Sequence, residues 1–256
     1  MLKEKFIAAL FLCPVLIYAQ NFLPPVNANE ENLMLKNEAQ KENLYKFYRD
    51  KIDPRFNLIN GREYYPYYLS STRKPIFLWG EKYSSAIVIK GIRYNDILLE
   101  YDTYMDEVLY FDSSRSFRNL PLRIAINKGI IDLFEIIQGD DTLKFKFFRN
   151  NNSFNLHDGF YEDVYNNKSI FLIKHYSNCI TDNGIDDYPY HTVSYVNVGN
   201  GFTKFKSLRQ LFKLMDSYSP DVRKYCRKQG IPDGSKDKKQ ISAVLLYYDN
   251  LISQTE

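Results

Sequence analysis

Leu143-Lys144-Phe145-Lys146-Phe147-Phe148 is the stretch that decides the fold. Apolar and charged side chains alternate with a period of two, so an extended chain puts Leu143, Phe145 and Phe147 on one face and both lysines on the other. A helix would scatter the two sets around its circumference. One apolar face and one charged face belong to a sheet buried on a single side, which is the habit of antiparallel sheets. Working outward, similar runs rich in β-branched and aromatic residues recur at 86–90, 97–101, 107–111, 122–126, 169–173 and 192–198. They are cut by Asn60-Gly61, Gly91, Lys128-Gly129, Asn166-Asn167, Asn183-Gly184 and Asn200-Gly201, residues that tolerate positive φ. Such close turns leave no room for crossover helices. The predicted architecture over 58–206 is an antiparallel β-sandwich or barrel-like meander, so the class is mainly β (α+β).

From 207 onward the apolar period becomes helical. Ser207 with Gln210 has capping-box spacing, Ser219-Pro220 has N-terminal chemistry and Gly230 can close a helix. Helices are expected at about 207–218, 220–229 and 237–253, forming a small C-terminal helical unit over 207–256. In the last helix Ile241, Val244, Leu245, Tyr248 and Leu251 share a face. From Lys204 on there are 11 basic and 6 acidic residues, the ordinary dressing of the wet side of amphipathic helices.

At the other end Lys3 and Lys5 precede an apolar run over 6–19 that is short for a membrane span. Ile17 and Ala19 suit a signal-peptidase site, so residues 1–19 read as a signal peptide and the mature chain starts at Gln20. Cys13 leaves with it, and Phe11-Leu12 before it argues against a lipoprotein anchor. No later stretch reaches the roughly 20 apolar residues of a spanning helix. The expected localisation is therefore periplasmic or secreted, with no transmembrane segment in the mature chain. Residues 20–57 form an arm with a polar helix over 30–48 carrying Leu33, Leu44, Phe47 and Tyr48, ending before Pro54. An outer-membrane barrel would share the alternation, but the helical tail and the charges of Lys144 and Lys146 oppose it.

The 256 residues are 45% hydrophobic and 25% charged with a formal charge of +3, which excludes a disordered chain and gives no broad cationic surface for nucleic acid. The 22 tyrosines and 18 phenylalanines beside one Trp fit an AT-rich coding bias. No Gly-x-Ser-x-Gly, His-Glu-x-x-His, Cys-x-x-Cys or phosphate-cradling loop occurs, and no cofactor motif. His157, His175 and His191 lack the spacing of a metal site. Asp102, Asp106 and Glu107 are the densest acidic cluster. They are either a carboxylate pair for glycoside hydrolysis or the amide-accepting ends of a turn, and the second is the commoner employment of Asp at strand ends. Tyr64, Tyr65, Tyr67 and Tyr68 flank Pro66, so on an extended segment Tyr65 and Tyr67 point one way and Tyr64 and Tyr68 the other. An outward pair, taken as Tyr65 and Tyr67, would serve glycan stacking or protein contact. A disulfide between Cys179 and Cys226 is open to an exported chain and would contribute about 2–4 kcal/mol.

Asn60-Gly61-Arg62-Glu63-Tyr64, Gly91, Tyr94, the run from Tyr101 to Glu107, Gly159-Phe160-Tyr161, Tyr165 and Lys168 together resemble a family of exported Gram-negative proteins of unknown function. The likeness extends to Tyr247-Tyr248. It implies an exported β-rich domain with a helical tail and assigns no catalytic residue. The sequence as a whole points to a binding or interaction protein of the cell envelope, with an envelope protein or a glycan as partner. The alternative is a polysaccharide hydrolase using Asp102, Asp106 or Glu107.

Overall fold

The computed structural model describes residues 56–80, 83–117, 120–149, 156–199 and 201–255, with isolated helical positions at 37, 40 and 41. The signal peptide and most of the arm with its expected helix lie outside the described residues. The chain divides into two compact units, Met1–Pro54 and Arg55–Glu256, and every described strand belongs to the second.

After a one-turn helix α1 (Phe56–Ile59), eleven strands form one sheet in the order β1 (Arg62–Glu63), β5 (Leu120–Ala125), β4 (Glu107–Phe117), β3 (Ile92–Asp102), β2 (Ser84–Ile89), β6 (Ile131–Gln138), β7 (Asp141–Phe148), β8 (Gly159–Asn166), β9 (Ile170–Ser177), β12 (Tyr190–Asn197), β13 (Phe202–Phe205). Every pairing is antiparallel, and the sheet is open, with β1 and β13 at its edges. A separate ribbon, β10 (Ile180–Asp182) and β11 (Ile185–Asp187), sits between β9 and β12 in the chain. Among the described residues no helix is long and apolar enough to cross a membrane.

Strand β3 serves two partners. Residues up to Leu98 pair with β2, and those from Leu99 on pair with β4. The sheet turns a corner there, and the far end of β3 lies over β6–β9: the Tyr101 ring is 5.4 Å from Phe134, 5.6 Å from Phe145 and 6.0 Å from Phe160. This closes the first core, in which Phe134 and Phe145 stack at 4.6 Å and 2°. The alternation over 143–148 is realised: Phe145 is fully buried, Lys146 reaches Asp163 at 2.5 Å and Lys144 reaches Glu135 at 3.5 Å.

A second core lies between the other end of the sheet and the helices α2 (Leu208–Leu211), α3 (Ser219–Lys228) and α4 (Lys238–Thr255). Phe171, Ile173, Val196 and Phe205 supply the sheet side; Val222, Ile241, Val244 and Leu245 the helix side. The helix expected at 207–218 is broken: after α2 the chain continues as two 3₁₀ turns, Phe212–Leu214 and Asp216–Tyr218, with Asp216 at φ 40°. Ser207 makes no side-chain cap, whereas Asp237 accepts the Gln240 amide at 2.8 Å and starts α4. Asp249 on α4, almost fully buried, accepts the Ser169 amide, the Ser169 hydroxyl and the Tyr165 hydroxyl, tying the helix to the β8–β9 turn. Strands β6 and β8 were not among the expected runs. The bridge between Cys179 and Cys226 is absent, both thiols being free: Cys226 is packed inside the helical core and Cys179 lies on an exposed turn.

Register decides what lies between the two cores. Phe145 faces Glu162, Glu162 faces Ile173, and His175 faces Thr192, so all of these share the sheet face that carries both cores. That face is apolar at each end and polar in the middle.

Candidate functional site

The three carboxylates of the acidic cluster go to three different tasks. Asp102 ends β3 with no exposed surface; its Oδ1 accepts the amides of Tyr104 and Met105 at 2.9 Å, and its Oδ2 accepts the hydroxyls of Tyr64 at 2.6 Å and Tyr67 at 2.7 Å. Burial, then the bond to Asp102, push both phenols far above their ordinary range, so they stay donors. Asp106 accepts the Tyr101 hydroxyl at 2.6 Å and Lys174 Nζ at 2.5 Å. Glycine is required at 159 for this pair: φ there is 149°, and a Cβ would stand 2.6 Å from Lys174 Nζ and 2.7 Å from Asp106 Oδ2. Glu107 bonds Arg62 on the surface. Tyr64 and Tyr68 are buried, while Tyr65 and Tyr67 are exposed at 70% and 39%, the latter with its hydroxyl held by Asp102. His157 lies in the approach to β8, where its carbonyl accepts the Tyr161 hydroxyl, and His191 is exposed against Tyr176. Among the described residues no three His, Cys, Asp or Glu side chains gather as metal ligands.

The polar middle of the sheet face is the floor of a groove of about 1380 Å³. One wall is Phe77 and Leu78 from the loop before β2, and the other is the start of α4 with Lys236, Lys238, Lys239 and Ser242. Thr142 and Lys144 of β7, Tyr190, Thr192 and Ser194 of β12, and Lys204 and Lys206 complete it. The deepest groups are Glu162 and His175, both nearly free of solvent. Glu162 Oε1 accepts Lys238 Nζ at 2.5 Å and its Oε2 meets His175 Nε2 at 2.7 Å. On the other side of the ring, His175 Nδ1 meets the Tyr190 hydroxyl.

Charge fixes the direction of this relay. Burial pushes the Glu162 carboxyl up, but the hydrogen bonds from His175 and Lys238 and the ammonium charge of Lys238 outweigh it and hold it below its ordinary range. An ionised carboxylate only accepts, so Nε2 carries the ring proton. Burial also holds His175 below its ordinary 6.5 against the pull of Glu162, so the ring is neutral and Nδ1 is a bare acceptor. Tyr190 must then donate. The residue is 47% exposed and lines the groove, so its anchored phenol faces the groove.

The same shifts make an expected result. Both groups bind fewer protons folded than unfolded, so stability declines as pH falls below 6.5 at His175 and again below 4.5 at Glu162. In His175→Gln the first decline disappears and the second remains, since Lys238 still holds Glu162 down. Urea midpoints across that range check this; an unaltered profile in the variant would overturn it.

In the sequence His175 stands out only as one of three histidines, and nothing singles out Glu162, Tyr190 or Lys238. Glu162 and His175 are 13 positions apart across one hairpin, and the pairing register was the signal that joins them.

Comparison with protein-family models, with curated proteins and with solved structures finds no match to the chain. The class is thus defined by fold and groove: an open antiparallel sheet, corner-folded at one end and helix-capped at the other, with a lysine-walled polar groove between. Its particular role is read from the chemistry of that groove.

Proposed function

We propose that the protein is an exported binding protein of the cell envelope and that its groove holds an acidic polysaccharide. The observation that carries this is the uneven charge of the groove. Its acids are all engaged, Asp141 by Lys239, Glu162 by Lys238 and Asp163 by Lys146, whereas Lys206 and Lys236 are exposed and have no carboxylate partner among the described residues; Lys204 lies over the Tyr195 ring on the opposite face of the sheet. Hydroxyl and amide side chains such as Thr192, Ser194, Ser242 and Gln210 line the same surface, suited to a ligand rich in hydroxyls. The cleft is open along the sheet rather than enclosed around a small molecule. Asp102, Asp106 and Glu107, which a carboxylate-pair hydrolase would use, do not line it.

The test is calorimetric titration with oligogalacturonate and with a neutral oligosaccharide of equal length. Binding is expected for the acidic oligomer, weakened by salt, and reduced about fivefold or more in Lys206→Glu/Lys236→Glu, since two exposed pairs contribute about 0.5 kcal/mol each. Equal affinity for the neutral oligomer, or no effect of the double reversal, would overturn the reading.

A further inference from the structure

We propose that the groove does more than hold a uronate polymer: it cleaves the chain by β-elimination, with Tyr190 as the catalytic residue that moves the proton. The inference rests on the proposed binding role and adds a reaction to it. In a 4-linked uronate, the hydrogen on C5 is α to the carboxylate and the glycosidic oxygen on C4 is β to it. Elimination breaks the C5–H and C4–O bonds and forms a C4=C5 double bond, so it consumes no water, metal or redox partner. It needs a cation beside the carboxylate, a base at C5 and an acid at the leaving oxygen.

The chain supplies each part in one place. Lysines that lack a carboxylate partner among the described residues, Lys206 and Lys236, line the groove and can neutralise the substrate carboxylate, which acidifies C5–H. Tyr190 presents a half-exposed phenol there, and its hydroxyl donates to His175 Nδ1 while Glu162 faces the opposite nitrogen at 2.7 Å. Donor, neutral imidazole and carboxylate in series form the arrangement that activates a weakly acidic hydroxyl. Burial and Glu162 raise the Tyr190 phenol above its ordinary range and burial keeps His175 a weak base, so the phenol proton moves to Nδ1 only in concert with removal of the C5 hydrogen.

The proton balance closes. In one concerted step Tyr190 passes its proton to His175, whose cation Glu162 stabilises, as the phenol oxygen takes the C5 hydrogen. The C5–H electron pair becomes the double bond, the C4–O pair leaves with the oxygen, and Tyr190 hands the captured proton to that oxygen. His175 then returns its proton to Tyr190. The net transfer is from C5 to the leaving group, and His175 and Glu162 are positioning residues that act through Tyr190.

The experiment incubates the whole chain with polygalacturonate and with alginate, following the ultraviolet absorbance of the unsaturated uronate end, the number of new reducing ends, and binding by calorimetry. New absorbance matched by new reducing ends is expected, falling about 10²–10⁴-fold in Tyr190→Phe with binding and melting temperature retained. Glu162→Gln is expected to move the pH–rate profile, which a purely structural role would leave in place. Binding without absorbance overturns the elimination and leaves the binding protein standing. Reducing ends without absorbance mean hydrolysis and also overturn it. Absence of binding to both polymers overturns both readings, and full activity in Tyr190→Phe overturns the role of Tyr190.

Discussion

Asp102→Ala is expected to lower stability by about 3–5 kcal/mol, although the residue touches neither the groove nor solvent. Removing it leaves four donors without their acceptor, the hydroxyls of Tyr64 and Tyr67 and the amides of Tyr104 and Met105, of which the Tyr64 hydroxyl is buried with Asp102 itself. The amides belong to the turn that carries Thr103 onto Ser177 at 2.7 Å, so the fold-over of β3 onto β9 is undermined together with the tyrosine segment. Asp102→Asn is no rescue. Its NH₂ faces two donors on one side, and a loss of about 2 kcal/mol is expected there. Urea unfolding measures both. A loss under about 1 kcal/mol for alanine would mean that water replaces the carboxylate, and Asp102 would then not be the pin that it is taken for.

Phe145→Ala comes next, with an expected loss of about 3–5 kcal/mol from buried area and the cavity left behind. The ring is fully buried, stacks on Phe134, meets Phe77 and Tyr101 at 5.6 Å and lies 5.4 Å from the His175 ring. It is therefore both a member of the first core and the wall against which the groove floor rests. Phe145→Leu refills most of the space, and a loss below about 1.5 kcal/mol is expected. Equal midpoints for the two variants in urea would show that the site collapses onto the gap, contrary to such tight packing.

These two residues mark what could be read from the chain. The alternation around Phe145 announced which face its own strand buries because lysine and phenylalanine differ so sharply, but the sheet is not one-sided throughout: Tyr161, Leu172 and Tyr195 bury the opposite face over β8, β9 and β12. Asp102 at a strand end announced a turn. Strand β6 was less legible: Asp132 and Glu135 stand three apart, a helical spacing, and only the partner strand shows that Glu135 pairs with Arg93 and Lys144. Strand β8 reads Gly-Phe-Tyr-Glu-Asp-Val-Tyr-Asn, with consecutive carboxylates and a register shift between Asp163 and Tyr165 that breaks the period of two. Once that strand is lost, Glu162 has no face and His175 has no partner. Lys238 was further out of reach, since it meets Glu162 only through the docking of α4, a contact across 76 positions. Local pattern carries sheet faces; it does not carry the meeting of a helix start with a strand middle.

The open sheet also has a bearing on aggregation. An eleven-stranded sheet that never closes must end somewhere, and unpaired strand edges recruit other chains. Here the edges are as small as strands can be: β1 is two exposed charged residues, Arg62 and Glu63, and β13 is four residues that give way at once to the helical unit. The long strands, each offering many hydrogen-bonding groups, are all interior. A molecule built this way presents a broad β surface to a ligand, and the backbone it offers a second copy of itself lies less on its end strands than on residues 190–193 of β12, which β13 does not cover.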